Sequence, residues 1–175
     1  MLKLAMFSGL RRGEIFQLQK ADLNFSQNLI RLRDSKGGKD VAIPMSNVVK
    51  DILKEQLAFC AVRHPESTFV FPAHHGGKRI DSTAVNRIKM KAKLPENFRI
   101  FHGLRHNLGV KLAHSGQYTL DMISALLTHK SAAVTKRYAQ FLPKTKKAAA
   151  DKAADLLLHE VKKGRNILNI KKKQA

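Results

Sequence analysis

A chain of 175 residues that is 43% hydrophobic holds enough apolar side chains for one core. Its single cysteine, Cys60, excludes an internal disulfide and leaves too few soft ligands for a structural zinc site, and no apolar run reaches the ~18 residues that cross a bilayer. The formal charge of +20, divided as +13 over residues 1–142 and +7 over 143–175, points to a polyanionic partner. Nucleic acid fits better than a membrane surface, because no segment joins a basic face to a large apolar one. The bland alternative is a basic protein with no polyanion at all. The N-terminus has no charged-then-apolar export pattern, so a soluble cytoplasmic protein is expected.

Residues 1–8, MLKLAMFS, read as the end of a helix, with Leu2, Ala5 and Met6 on one face and Gly9 as its cap. A chain that opens in mid-helix reads as cut from something longer. Arg11 and Glu14 follow at a spacing that puts them on one side of a short helix over GEIFQLQ. The runs ADLNF, NLIRLRDS and KDVAIPM, with a Gly37-Gly38 turn before the last, predict a small antiparallel sheet. Val41, Ile43 and Met45 alternate at the strand period, and Lys36 sits at the lip of the hairpin.

Ser46 or Asn47 can cap a helix from Val48 to about Arg63, with a buried face of Val49, Ile52, Leu53, Leu57 and Cys60. Cys60 on that stripe reads as a small core residue. Thr68 to Phe71 is a short extended piece ended by Pro72. The following AHHGGKR is a basic turn that lacks the first glycine of a phosphate-binding loop. Ser82 or Thr83 starts a helix to about Lys93, with Val85, Ile88 and Ala92 inward and Arg87, Lys89, Lys91 and Lys93 outward.

Three helices follow: Leu104 to His114 ending at Gly116, about Thr119 to Leu127, and Ala132 to Phe141 ending at Pro143. Val134, Tyr138 and Phe141 fall within reach of one face of the last. A further helix is expected from Lys146 to about Val161, and GRNILNIKKKQA reads as a basic tail. The fold class is therefore α+β, mainly α-helical, with a small antiparallel sheet near the N-terminus. One domain spans residues 1–163, and a tail spans 164–175.

The polar residues of this chain suit an attack on a phosphodiester. Such a reaction without metal needs cations on the non-bridging oxygens, a nucleophile, and an acid for the leaving group. Arg11 and Arg105 can each offer a planar fork of donors, and Tyr138 can supply the attacking oxygen. His102, one helical turn from Arg105, can accept the phenol proton. His129 can hydrogen-bond a phosphate oxygen, and Lys36 can reach the leaving 5′ oxygen. Taken singly these residues have plainer readings. Arg11 with Glu14 is an ordinary surface ion pair, and Tyr138 is an ordinary core ring. His102 and His106 have the spacing of a metal pair, but Gly103 stands where a zinc protease has its acid and no third ligand is evident.

Together and in order, the pieces resemble the catalytic core of the tyrosine recombinases, the phage-integrase and Xer family of site-specific DNA recombinases. SGLRRGEI is similar to the first arginine box, through Arg11 and its supporting Glu14. RDSKGGKDVAIPM resembles the β-hairpin that carries the general acid, here Lys36 or Lys39. FHGLRH resembles the His-x-x-Arg box through His102 and Arg105, with His106 as the usual following histidine. LLTHKSAAVTKRY resembles the segment that holds His129 and the nucleophile Tyr138.

That resemblance implies a DNA breaking-rejoining fold and cleavage of one strand to a 3′-phosphotyrosyl bond. It implies no cofactor, no metal and no ATP, and it implies double-stranded DNA as partner with a homo-tetramer as the working assembly. The segment 146–161 resembles in position an element that docks on a neighbouring subunit. Helices that precede the first arginine box in the family and a separate clamping domain are missing, which implies a catalytic piece. Thr128 stands where the family most often has glycine. A type IB topoisomerase, which shares the pentad, and a non-catalytic DNA-binding protein are the competing expectations.

Overall fold

A computed structural model describes residues 1–33, 39–128, 132–142, 153–155 and 157–159. Helix α1 (Leu2–Ser8) ends at Gly9, whose φ of 67° lets its N–H reach the carbonyl of Ala5. Its buried residues are Leu4 and Ala5, whereas Met6 is exposed, so the inward face lies one position away from the expected one. Helix α2 (Arg12–Gln17) follows at once. The strands β1 (Leu23–Asn24), β2 (Leu29–Leu32) and β3 (Val41–Pro44) form one antiparallel sheet in that order, with Ile30 opposite Ile43. Ile43 and Met45 are buried, but Val41, at the start of the strand, is exposed.

Asp22, 3% exposed, accepts from Arg33 Nε at 2.7 Å and from the backbone N–H of Gln19 at 2.9 Å, which pins the sheet to the turn before it. Ser46 caps helix α3 (Asn47–Arg63) by accepting from the N–H of Val49. Val49, Leu53 and Cys60 are its buried residues, and the Cys60 thiol donates to the carbonyl of Val70. Val70 in turn donates to Leu18, so the extended piece at 68–71 joins the core next to α2.

Helix α4 (Thr83–Lys91) buries Val85, while Ile88 is half exposed and Ala92 lies at the surface. The helical period alone does not supply a surface to cover the second turn. Helix α5 (Ile100–His114) begins a full turn earlier than expected and therefore includes His102. Its buried stripe is Phe101, Arg105, Gly109 and Ala113, one residue in every four. Helix α6 (Leu120–Leu126) is capped by Thr119, which accepts from Met122.

The expected helix over 132–141 is divided. Helix α7 spans Ala132–Lys136, Tyr138 stands in the turn after it, and a 3-10 turn spans Ala139–Phe141. In the unit from Pro143 onward, residues 153–155 and 157–159 are helical, which agrees with the helix expected there; its remaining positions lie outside the described residues. No helix among the described residues is long and apolar enough to cross a membrane.

Two apolar clusters result. The larger holds Leu4, Leu10, Ile15, Ile30, Leu53 and Phe101, and the smaller holds Ala113, Ile123, Leu127 and Tyr138. Helix α5 contributes to both, and Arg105 lies between its two contributions. Gly9 sits at this join, and a Cβ there would stand 2.7 Å from Leu127 Cδ2 on a left-handed backbone. Gly13, inside α2, has open space around it. Gly9→Ala is therefore expected to lower stability by about 1–3 kcal/mol, and Gly13→Ala to leave it unchanged or raise it by up to about 1 kcal/mol. Urea unfolding of both variants checks the contrast.

Candidate active site

The C-terminus of α6 gathers the arginines. The last carbonyls of a helix have no partner within it, and Thr128, with φ 49°, turns the chain away from the axis after Leu127. The carbonyl of Leu127 accepts from Arg105 Nη2, and the carbonyl of Thr128 accepts from Arg11 Nη2 at 2.9 Å. Arg105 Nη1 donates to the carbonyl of Gly9 at 2.6 Å. Arg11 Nη1 donates to Thr128 Oγ1 at 3.0 Å and to Glu14 Oε1 at 2.7 Å. Glu14 Oε2 accepts the backbone N–H of Arg11 at 2.6 Å, so Glu14 closes the first turn of α2 and holds the guanidinium at the same time.

Arg105 is 7% exposed. Burial, together with the nearby charge of Arg11, lowers its pKa to about 10, against the opposing influence of Glu14 and Tyr138. It remains a cation at neutral pH. The backbone carbonyls stabilise that buried charge, since each is a charge-assisted acceptor.

Tyr138 is 3% exposed and belongs to the smaller core cluster. Its ring lies on α5 at Gly109, where a Cβ would come within 2.5 Å of Cζ and 2.9 Å of Oη. The ring of His106 lies alongside, at 5.5 Å between centroids. Burial pushes the phenol pKa up, and the charges of Arg105 and Arg137 work against that rise. His102 lies one turn before Arg105 on the exposed side of α5. Burial, then the charges of Arg137, His106, Arg99 and Arg105, hold its pKa below the ordinary histidine value.

Arg11, His102, Arg105, His106 and Tyr138 line one cleft of about 850 Å³, together with Arg12, Lys89, Arg99 and Arg137. Among the described residues that line it, Glu96 is the one acidic residue. Five guanidiniums, two imidazoles and a phenol thus border a cationic concavity, which can hold a phosphate between Arg11 and Arg105 and place an oxygen nucleophile beside it. Lys36 and His129 lie outside the described residues. Lys39 is exposed and does not line the cleft.

Several residues that shape the site were not singled out by the sequence reading. Gly109 had a signal, because glycine inside a fifteen-residue helix costs stability unless something needs the space. Thr128 was noted only as a departure, and the carbonyls of Gly9 and Leu127 have no signal in a sequence.

The phage integrase family model matches residues 1–144. A probable integrase/recombinase protein of Methanocaldococcus jannaschii is 27% identical over 146 residues, which cover 79% of this chain and 44% of that one. Tyrosine recombinase XerS of Streptococcus sanguinis is 30% identical over 159 residues, covering 86% of this chain and 44% of the relative. The chain thus spans about half the length of these curated relatives. A structure of the Tn1549 transposon integrase in complex with circular intermediate DNA superposes with a TM-score of 0.67 at 17% identity, covering 89% of this chain and 58% of that one. This likeness establishes the fold, mainly helical with a small antiparallel sheet.

Two measurements test this geometry. In a Tyr118→Phe background, Tyr138 should ionise above the ordinary phenol value of ~10. Gly109→Ala should bring that ionisation down by expelling the ring, as read by tyrosinate absorbance. His102 should titrate below the ordinary ~6.5 by NMR, and Arg137→Gln should raise its midpoint. The sign follows from the cations, which disfavour the imidazolium. His102 is neutral at pH 7, and its small contribution to stability is lost as the pH falls below the unfolded value.

Proposed function

Because the chain belongs to the phage integrase family, we propose that it forms the catalytic part of a site-specific DNA recombinase that cleaves and rejoins strands through a 3′-phosphotyrosyl intermediate. The observation that carries this reading is the docking of Arg11 and Arg105 on adjacent carbonyls, in a cationic cleft that Tyr138 also lines. Two guanidinium forks converging on one place fit the non-bridging oxygens of a phosphodiester.

In this mechanism Tyr138 Oη attacks phosphorus while the bond to the 5′ oxygen breaks. The phenol proton passes to neutral His102, and the departing 5′ oxygen takes a proton from Lys36 or Lys39. Arg11 and Arg105 hold the negative charge that builds on the phosphate, with His129 as a further donor. The phosphotyrosyl bond keeps the energy of the phosphodiester, so a 5′ hydroxyl of another strand reverses the step and completes the exchange. The buried phenol has to swing from its seat on Gly109 toward the phosphate, and the charge of Arg105 favours the phenolate once it arrives.

Glu14 and His106 act by support: the first fixes Arg11, and the second flanks the tyrosine ring. The partner is double-stranded DNA, with four copies of the full-length protein acting on two sites. The segment 146–161 serves as a docking element between copies, and residues 164–175 as a basic tail. The compartment is the cytoplasm of a bacterial cell or of a phage-infected host, where that DNA lies. A role in integration or excision of a phage or other mobile element follows from the family.

Incubation with a pool of nicked duplexes of randomised sequence should give a protein band shifted by covalent DNA on a denaturing gel. Tyr138→Phe should abolish that band and leave salt-dependent DNA binding intact. Arg11→Lys keeps the charge but loses the fork, and should slow adduct formation by roughly a hundredfold or more. An adduct that persists in Tyr138→Phe would dismiss the nucleophile, and binding without any adduct in the wild type would favour a non-catalytic DNA-binding protein.

A further inference from the structure

Thr128 contacts Arg11 twice across 117 positions of sequence. A guanidinium has an end edge, across Nη1 and Nη2, and a side edge, across Nε and Nη2, and either can grip two oxygens in parallel. Thr128 occupies the end edge, with Oγ1 at 3.0 Å from Nη1 and its carbonyl oxygen at 2.9 Å from Nη2. Glu14 Oε1 takes the other hydrogen of Nη1 at 2.7 Å. Among the described residues nothing accepts from Nε or from the second Nη2 hydrogen, so the side edge is left for the cleft that Arg11 borders.

The backbone makes this arrangement the more informative. Thr128 holds φ 49°, where a β-branched residue meets a steric penalty that glycine does not. Glycine at this position would keep the turn and the carbonyl contact but lose the hydroxyl. With the hydroxyl gone, the end edge keeps one contact of its pair, at Nη2, and Nη1 is held by Glu14 alone.

We propose that Thr128 is a positioning residue for phosphate binding, which clamps the end edge of Arg11 through its hydroxyl and carbonyl and so presents the side edge to the scissile phosphate. The proposal rests on the recombinase reading for its ligand, but the clamp itself can be measured apart from catalysis.

The test compares wild type, Thr128→Gly and Thr128→Ser by adduct formation on a nicked duplex recovered from the randomised pool, DNA affinity, melting temperature, and NMR of the Arg11 guanidinium assigned through Arg11→Lys. Thr128→Gly should form the adduct roughly ten- to a hundredfold more slowly, the effect of losing one hydrogen bond to a charged group. Its DNA affinity should be unchanged, its melting temperature equal or higher because the left-handed turn relaxes, and Thr128→Ser should recover the rate.

A purely structural role predicts the reverse pairing, in which rate and melting temperature fall together and serine does not rescue. That result, or a wild-type rate in Thr128→Gly, overturns the proposal. If the wild type forms no adduct, the recombinase reading fails and the guanidinium signals decide the clamp. Separate Nη resonances in wild type and Thr128→Ser that average in Thr128→Gly support it; averaged resonances in the wild type overturn it.

Discussion

Two like charges are held close together by the backbone carbonyls at one helix end, and the rest of the site follows from that constraint. Burial and the charge of Arg11 together lower the affinity of Arg105 for its proton, since Arg105 is nearly removed from water. Neither condition is tolerable unless acceptors surround the charge. The carbonyls of Gly9, Leu127 and Thr128 are the acceptors, and each is a group that a helix terminus or tight turn leaves without a partner. A folding problem at the end of α6 and a charge problem on α5 thereby solve one another. The same bonds tie α1, α2, α5 and α6 together at the join between the two apolar clusters.

Much of this fold is written in local sequence. The cap at Gly9, the Ser46 cap of α3, the three short strands and the Thr119 cap of α6 each depend on residues within a few positions of one another. Period and capping rules read such features directly. The turn at Tyr138 was not legible, because it depends on α5 offering a bare backbone at Gly109, twenty-nine positions away. The exposure of Ile88 was missed for a similar reason: a helical stripe shows which residues can be buried, not whether a neighbour arrives to bury them.

The site was legible in its residue types and only partly in its arrangement. His102 and Arg105 could be placed on one helix from their spacing, and Glu14 beside Arg11 likewise. That Arg105 would occupy a core position was present in the four-residue stripe Phe101, Arg105, Gly109 and Ala113, where an arginine replaces an apolar residue and a glycine makes room for a ring. What joins Arg11 to Thr128 is a pair of long-range hydrogen bonds, and no local pattern encodes them. The phenol of Tyr138 is buried at the edge of the cationic cleft, and burial raises its pKa against the opposing charges of Arg105 and Arg137.

Glu14 has a consequence for how such a chain tolerates change. Active-site charges are usually a burden on the fold, so that variants gain robustness as they lose reactivity. Here one carboxylate both starts a helix and orients a guanidinium. Selection for nothing more than a well-folded product would then preserve the setting of that guanidinium as a by-product, and its erosion would register first as a weaker protein.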